Sequence, residues 1–173
     1  MTDPLDDGTA TPGGEGGGPG ETGVFARRVD GLDRAIEIGT ASGRLISVSF
    51  PETVPDDADG DHPVLDRIAD YLAGAEDDFA DVAVAITVPT AHREVLESLR
   101  NVPYGDAADV ELLVRMTAGL DHEDDADLDT ARAALRANPL PVVIPDHRVR
   151  DAAGATPESV AARLREIEGI HGA

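Results

Sequence analysis

The chain lacks cysteine, lysine and tryptophan, and only 3% of its 173 residues are aromatic. Without cysteine there can be no disulfide, no thiolate zinc site and no thiol nucleophile. With so few aromatics, the core has to be built from Val, Leu, Ile and Ala. The apolar fraction, 41%, suffices for one domain or two small ones. No stretch of 18 apolar residues occurs, so no membrane span is expected. The opening "MTDPLDDGTATPGG" has neither a basic nor an apolar segment, so a secretory signal is not expected and a cytoplasmic location is.

What is abundant is acid. Thirty-five Asp and Glu face 14 bases, all of them Arg, for a net charge of −21. The acids are spread along the whole chain rather than gathered into one tail. This pattern suits a surface adapted to a salt-loaded, halophilic cytoplasm, where a Debye length of about 3 Å in 1 M salt screens the self-repulsion. A basic partner is the competing explanation.

Residues 1–22, rich in Gly, Pro and acid, cannot bury apolar surface and read as a disordered tail. From Val24 the pattern alternates. Phe25–Val29, Ala35–Gly39 and Arg44–Phe50 read as strands, the last two joined at "ASG" (41–43) into a hairpin. In the last strand Ile46, Val48 and Phe50 are expected to share a face opposite Leu45. Val64, Leu65, Ile68, Tyr71 and Leu72 predict a helix stopped at Gly74. Val82–Ile86 predicts a strand, and Thr90 caps a helix burying Val95, Leu96 and Leu99.

After the linker "NVPYGD" (101–106), Val110, Leu112, Leu113, Val114 and Met116 predict one apolar helical face, closed by Gly119. A second helix over 131–137 follows the acidic run "DHEDDADLD" (121–129), and the two could form a helix-turn-helix. Leu140–Ile144 reads as a buried strand. Thr156-Pro157-Glu158 starts a last helix with Val160, Leu164 and Ile167 inside. The acid clusters at Asp56–His62 and Asp77–Asp81 lack the spacing of a calcium loop and read as solvated loops, as does His122; no metal and no cofactor is expected.

Pro103-Tyr104-Gly105, Asn138-Pro139 and Pro145-Asp146-His147-Arg148-Val149 stand in an order and spacing that resemble the O6-alkylguanine-DNA alkyltransferases. The resemblance covers roughly residues 101–169. It implies an α/β (α+β) fold: a small ribonuclease-H-like β/α domain over 23–100, then a winged helix-turn-helix-like alkyltransferase domain over 101–173. The activity it implies is suicide repair, in which a flipped guanine gives its alkyl group to a cysteine activated through His and Glu.

The chemical positions depart from that pattern. Asp146 stands at the cysteine position, and a carboxylate is a far weaker carbon nucleophile than a thiolate. Asp129 stands where the family has the arginine that fills the flipped base's gap, and Val110 falls near the family's tyrosine. The loop after Gly154 is mostly missing. The resemblance then implies a cysteine-less, alkyltransferase-like protein, monomeric, which binds double-stranded DNA containing alkylated guanine in concert with a repair protein. Arg132, Arg136, Asn138 and Arg148 would contact DNA, and Asp146, His147 and Glu168 would form a degenerate pocket. Two alternatives stay open: an interaction module that keeps the fold without DNA binding, and a methyl acceptor using Asp146. The plainer reading of the trio is structural, with Asp146 and Arg148 in local hydrogen bonds and His147 meeting Glu168.

Overall fold

The computed structural model describes residues 22–29 and 32–170. The tail predicted over 1–22 lies, but for Thr22, outside the described residues. Three antiparallel strands in sequential order, β1 (Gly23–Arg28), β2 (Ala35–Ala41) and β3 (Arg44–Ser49), make a small sheet. Ser42 and Gly43 both adopt positive φ (53° and 80°), the left-handed pair that a two-residue hairpin turn requires. Five α-helices follow among the described residues: α1 (Pro63–Leu72), α2 (Thr90–Leu99), α3 (Val110–Arg115), α4 (Asp125–Arg136) and α5 (Glu158–Glu168). The result is the mixed α/β class predicted.

A bulge corrects the expected facing of β3. Thr40 pairs with Leu45 and Gly39 with Ser47, so Ile46 is the extra residue between them. Its insertion puts Leu45 inside with Val48 and Phe50 and leaves Ile46 40% exposed. The expected strand at 82–86 is also absent. Only Leu45 offers it pairing, giving N–H to the Ala83 carbonyl and accepting from Ala85 N–H, before the bulge ends the ladder.

His62, expected in a solvated loop, is buried. It caps α1, its Nδ1 accepting from Val64 N–H at 3.1 Å, and its ring lies 4.7 Å from that of Phe25. Pro63 at the first helical position is pre-set for the turn. Leu65, Ile68, Tyr71 and Leu72 then line one buried face, each worth about 1.5–3 kcal/mol when withdrawn from water. In α3 the 3.6-residue period buries Val110, Leu113 and Val114 but turns Leu112 outward, 42% exposed, contrary to the single face predicted.

α4 starts six residues earlier than predicted because Asp124 caps it, accepting from Ala126 N–H at 2.9 Å. α2 packs on α4, and α3 on both. One buried cluster runs from Phe25 on the sheet through α1 and α2 to Leu164 on α5. No helix of the described residues is long and apolar enough to cross a membrane.

Candidate functional site

The segment leaving α4 is a buried turn, not the predicted strand. Pro139 and Pro141 have no N–H for a ladder, and Ile144 N–H turns back to the Leu140 carbonyl at 2.8 Å. Val142 sits at φ 77°, a conformation costly for a β-branched residue and sustained only where its surroundings over-determine it. Asn138 does much of that. Its Oδ1 accepts from Leu140 N–H and its Nδ2 donates to the Ile144 carbonyl, both at 2.9 Å.

A short 3-10 turn, Asp146–Arg148, follows at once and is wholly buried. Asp146 is 2% exposed. Its Oδ2 accepts from Asn138 Nδ2 at 2.9 Å, Ala155 N–H at 3.1 Å and Thr156 N–H at 3.4 Å. Burial pushes this carboxyl above the usual range, and the donors from Thr156, Asn138 and Ala155 pull against it. Gly154 lies directly against the same carboxyl.

His147 and Arg148 both meet Glu168, at the end of α5. His147 Nε2 is 2.8 Å from Glu168 Oε2 and 3.4 Å from the Tyr71 hydroxyl. Arg148 grips the same carboxylate with two donors, Nε to Oε1 at 2.8 Å and Nη2 to Oε2 at 3.1 Å, and gives Nη1 to the Val102 carbonyl at 2.7 Å. Gly105 N–H completes the Glu168 shell at 3.1 Å. Burial holds His147 well below its ordinary value, helped by the positive charges of Arg148 and Arg165. Burial also pushes Arg148 down to about 10 and Glu168 up to about 7. The two-pronged guanidinium contact resists both shifts by favouring the charged forms, and we take the pair as ionised at neutral pH. The network assigns the His147 proton to Nε2, donating to Glu168; Nδ1 is then a buried acceptor with no partner among the described residues.

The remaining predicted residues are scattered. Asn138 and Arg148 lie in the interior, 4% and 3% exposed, not on a surface. Arg132 reaches Asp129 at 3.0 Å on the outside of α4. Arg136, in the last turn of α4, is exposed and forms no ion pair with a described residue. Val110, near the family's tyrosine, is buried. Carboxylates occupy the helix starts. Asp109 caps α3, Asp151 accepts from Val110 N–H at 2.9 Å, and Asp127 accepts from Asp121 N–H at 2.9 Å beside the α4 cap.

Sequence reasoning missed two arginines. Arg165 donates to the His147 carbonyl at 2.9 Å, fixing the turn from α5. Arg67 binds Asp77 at 2.7 Å and Asp81 at 2.9 Å, so the cluster read as a solvated loop is a clamp around Phe79, which itself has φ 53°. A lone base between acid clusters was the available signal. No group of three or more His, Asp or Glu that could hold a metal occurs among the described residues.

Fold and site geometry together define an alkyltransferase-type fold with an acid at its buried turn. In solved structures this fold is that of O6-methylguanine methyltransferase from Mycobacterium tuberculosis, 18% identical, covering 87% of this chain and 95% of that one with a TM-score of 0.63. OGT from the same organism, solved in complex with DNA, is similar at 18% identity, TM-score 0.63, over 84% and 91% of the two chains. O6-methylguanine-DNA methyltransferase from Pyrococcus kodakaraensis strain KOD1 gives 20% identity and a TM-score of 0.61 over 84% and 99%. No protein-family model matches the chain, and no curated protein matches it by sequence.

Proposed function

We propose that this chain binds alkylated guanine in duplex DNA without removing the alkyl group, as a non-catalytic, alkyltransferase-like protein of DNA repair. The observation that carries this reading is Asp146. In a fold like that of methyl-accepting proteins, the chain has no cysteine at all. The residue at the expected acceptor position is a buried carboxyl already engaged by three N–H donors. A carboxylate is a far weaker carbon nucleophile than a thiolate, and three donors that draw on its charge weaken it further. Binding to DNA is supported by the similar protein solved with DNA. It is also supported by the cationic end of α4, where Arg136 is available to phosphate.

The test is a titration of labelled duplex carrying O6-methylguanine, against the undamaged duplex, in molar KCl. Preferential binding is expected, weakened steeply as salt rises. The protein recovered from the incubation should not have gained a methyl group; a protein one methyl heavier would establish Asp146 as an acceptor and end the non-catalytic reading.

A second reading is favoured by a separate observation. Asp109, Asp151, Asp124 and Asp127 occupy the α3 and α4 starts where a helix-turn-helix would approach phosphate. On that reading the fold serves as an interaction module, and neither duplex is bound.

A further inference from the structure

Three N–H donors from two separate segments converge on a single oxygen. Asn138 Nδ2, Ala155 N–H and Thr156 N–H all point at Asp146 Oδ2, at 2.9, 3.1 and 3.4 Å. Convergent donors of this kind are how proteins receive a carbonyl, alkoxy or anionic oxygen from a bound molecule. Here the occupant is the protein's own side chain. Gly154 closes over it: a Cβ at that position would come within 2.3 Å of Asp146 Cγ and 2.6 Å of Oδ1. The carboxyl therefore fills the space under residues 154–156 and fastens that segment to the end of α4.

We propose that Asp146 is a resident ligand: it occupies an oxygen-binding nest and keeps the 154–156 segment shut over it until the oxygen of a bound molecule takes its place. The proposal rests on the lesion-binding reading only for the identity of the displacing molecule, an alkylated base. The nest itself is defined by its donors and accepts any small oxygen ligand of the right shape.

The donors differ in how far they depend on Asp146. Asn138 Nδ2 also serves the Ile144 carbonyl, and Ala155 N–H also reaches the Leu135 carbonyl at 3.0 Å. Thr156 N–H, at 3.4 Å, depends on Asp146 most. Its hydrogen exchange is therefore the reporter, with the Leu164 amide in α5 as the internal reference.

The experiment uses the full chain with Asp146→Gly and sodium formate as the probe, at ionic strength held constant with chloride. Without formate, the Thr156 amide should exchange about tenfold faster than in the unaltered chain, the loss expected for one hydrogen bond to a charged group. Formate should slow that exchange saturably and raise Tm in the variant while leaving the unaltered chain unchanged. Formate acting equally on both chains, or on neither, overturns the proposal.

Should Asp146→Gly fail to fold, Gly154→Ala probes the same seal from the other side. Its Cβ must displace the carboxyl and speed Thr156 exchange several-fold relative to Leu164, and an unchanged Thr156 rate also overturns the proposal. The lesion duplex separates the two ideas. Tighter binding by Asp146→Gly than by the unaltered chain supports both. Formate protection with no duplex binding by either chain keeps the nest and overturns the lesion-binding reading.

Discussion

Two groups of acids in this molecule differ in everything but residue type. Inside, Asp146 and Glu168 are buried, and fixed donors meet them: three on Asp146, and on Glu168 the fork of Arg148, the His147 ring and Gly105 N–H. Outside, the run from Asp121 to Asp129 spends its carboxylates on nearby backbone. Asp121 accepts from Glu123 N–H, Asp124 from Ala126 N–H and Asp127 from Asp121 N–H, all at 2.9 Å. An acid of the outer group that loses its partner is solvated by water at little cost. An acid or base of the inner group that loses its partner is stranded in a low dielectric. Net charge of −21 therefore says little about which carboxylates hold the fold.

The sharpest way to break this contrast is to remove one inner acid and one outer acid. Glu168→Ala strands the buried guanidinium of Arg148, and we expect a loss of about 3–5 kcal/mol, or roughly 10 °C in Tm for a chain of this size. Asp127→Ala should cost at most about 1 kcal/mol, the value of one exposed hydrogen bond. Thermal unfolding in molar KCl checks both. A Glu168 variant no less stable than the Asp127 variant would falsify the distinction.

The next effect is a pH slope. His147 is held neutral in the fold, its affinity for a proton depressed, so the unfolded chain takes up a proton below about pH 6.5 that the folded chain refuses. Its stabilising contribution is present above that pH and is lost as pH falls, at up to about 1.4 kcal/mol per unit. Burial of Glu168 works in the opposite sense. Burial alone would raise it to about 7, a contribution full below the ordinary 4.5 and lost as pH rises, and the Arg148 fork offsets that loss by favouring the carboxylate. Subtracting the curves of the unaltered chain and His147→Gln isolates the first effect. The difference in stability should shrink steadily from pH 6.5 to 5, and a flat difference would mean that His147 is protonated in the fold.

How much of this contrast was legible in the sequence depends on whether the forces involved are local. Helical spacing at Leu65, Ile68, Tyr71 and Leu72 announced α1, and the Asn-Pro and Pro-Asp-His-Arg-Val motifs drew attention to residues 138–149 without showing that they form buried turns. The contact of His147 with Glu168 was foreseen only through the family resemblance. The bulge at Ile46 was not legible, because a one-residue insertion depends on how β2 and β3 register, not on β3's own pattern. The run Leu140–Ile144 looked like a strand because buried turns and buried strands share the same apolar composition. What distinguishes them is the hydrogen bonding of Asn138 to backbone two and six residues on, which an apolar pattern does not encode. Arg67's clamp on Asp77 and Asp81 spans 10 and 14 residues and has no periodic signature.

A smaller effect is expected at Asp146. Its carboxyl is pushed up by burial, so its contribution is lost as pH rises through the folded value. Asp146→Asn keeps an acceptor oxygen for Asn138, Ala155 and Thr156 and removes the charge that burial penalises. The variant should gain about 1 kcal/mol over the unaltered chain above neutral pH and lose that advantage in acid. A variant less stable at every pH would mean that the ionised carboxylate is what the three donors require.

The least effect belongs to the outer group, and it bears on habitat. Asp129 and Arg132 pair at 3.0 Å, one turn apart on α4, with side chains 76% and 41% exposed. A double-mutant cycle on this pair should give a coupling of about 0.2–0.5 kcal/mol in dilute salt and nothing measurable in molar KCl, where the screening length falls to roughly 3 Å. The cycle on Arg148 and Glu168 should keep its coupling in both media, because salt does not reach a pair whose side chains are 3% and 0% exposed. If concentrated salt erased the inner coupling too, ions or water would have to enter the interior beside the 146–148 turn. A salt-resistant inner pair beside a salt-sensitive outer one is what a closed turn under an acid-covered surface requires.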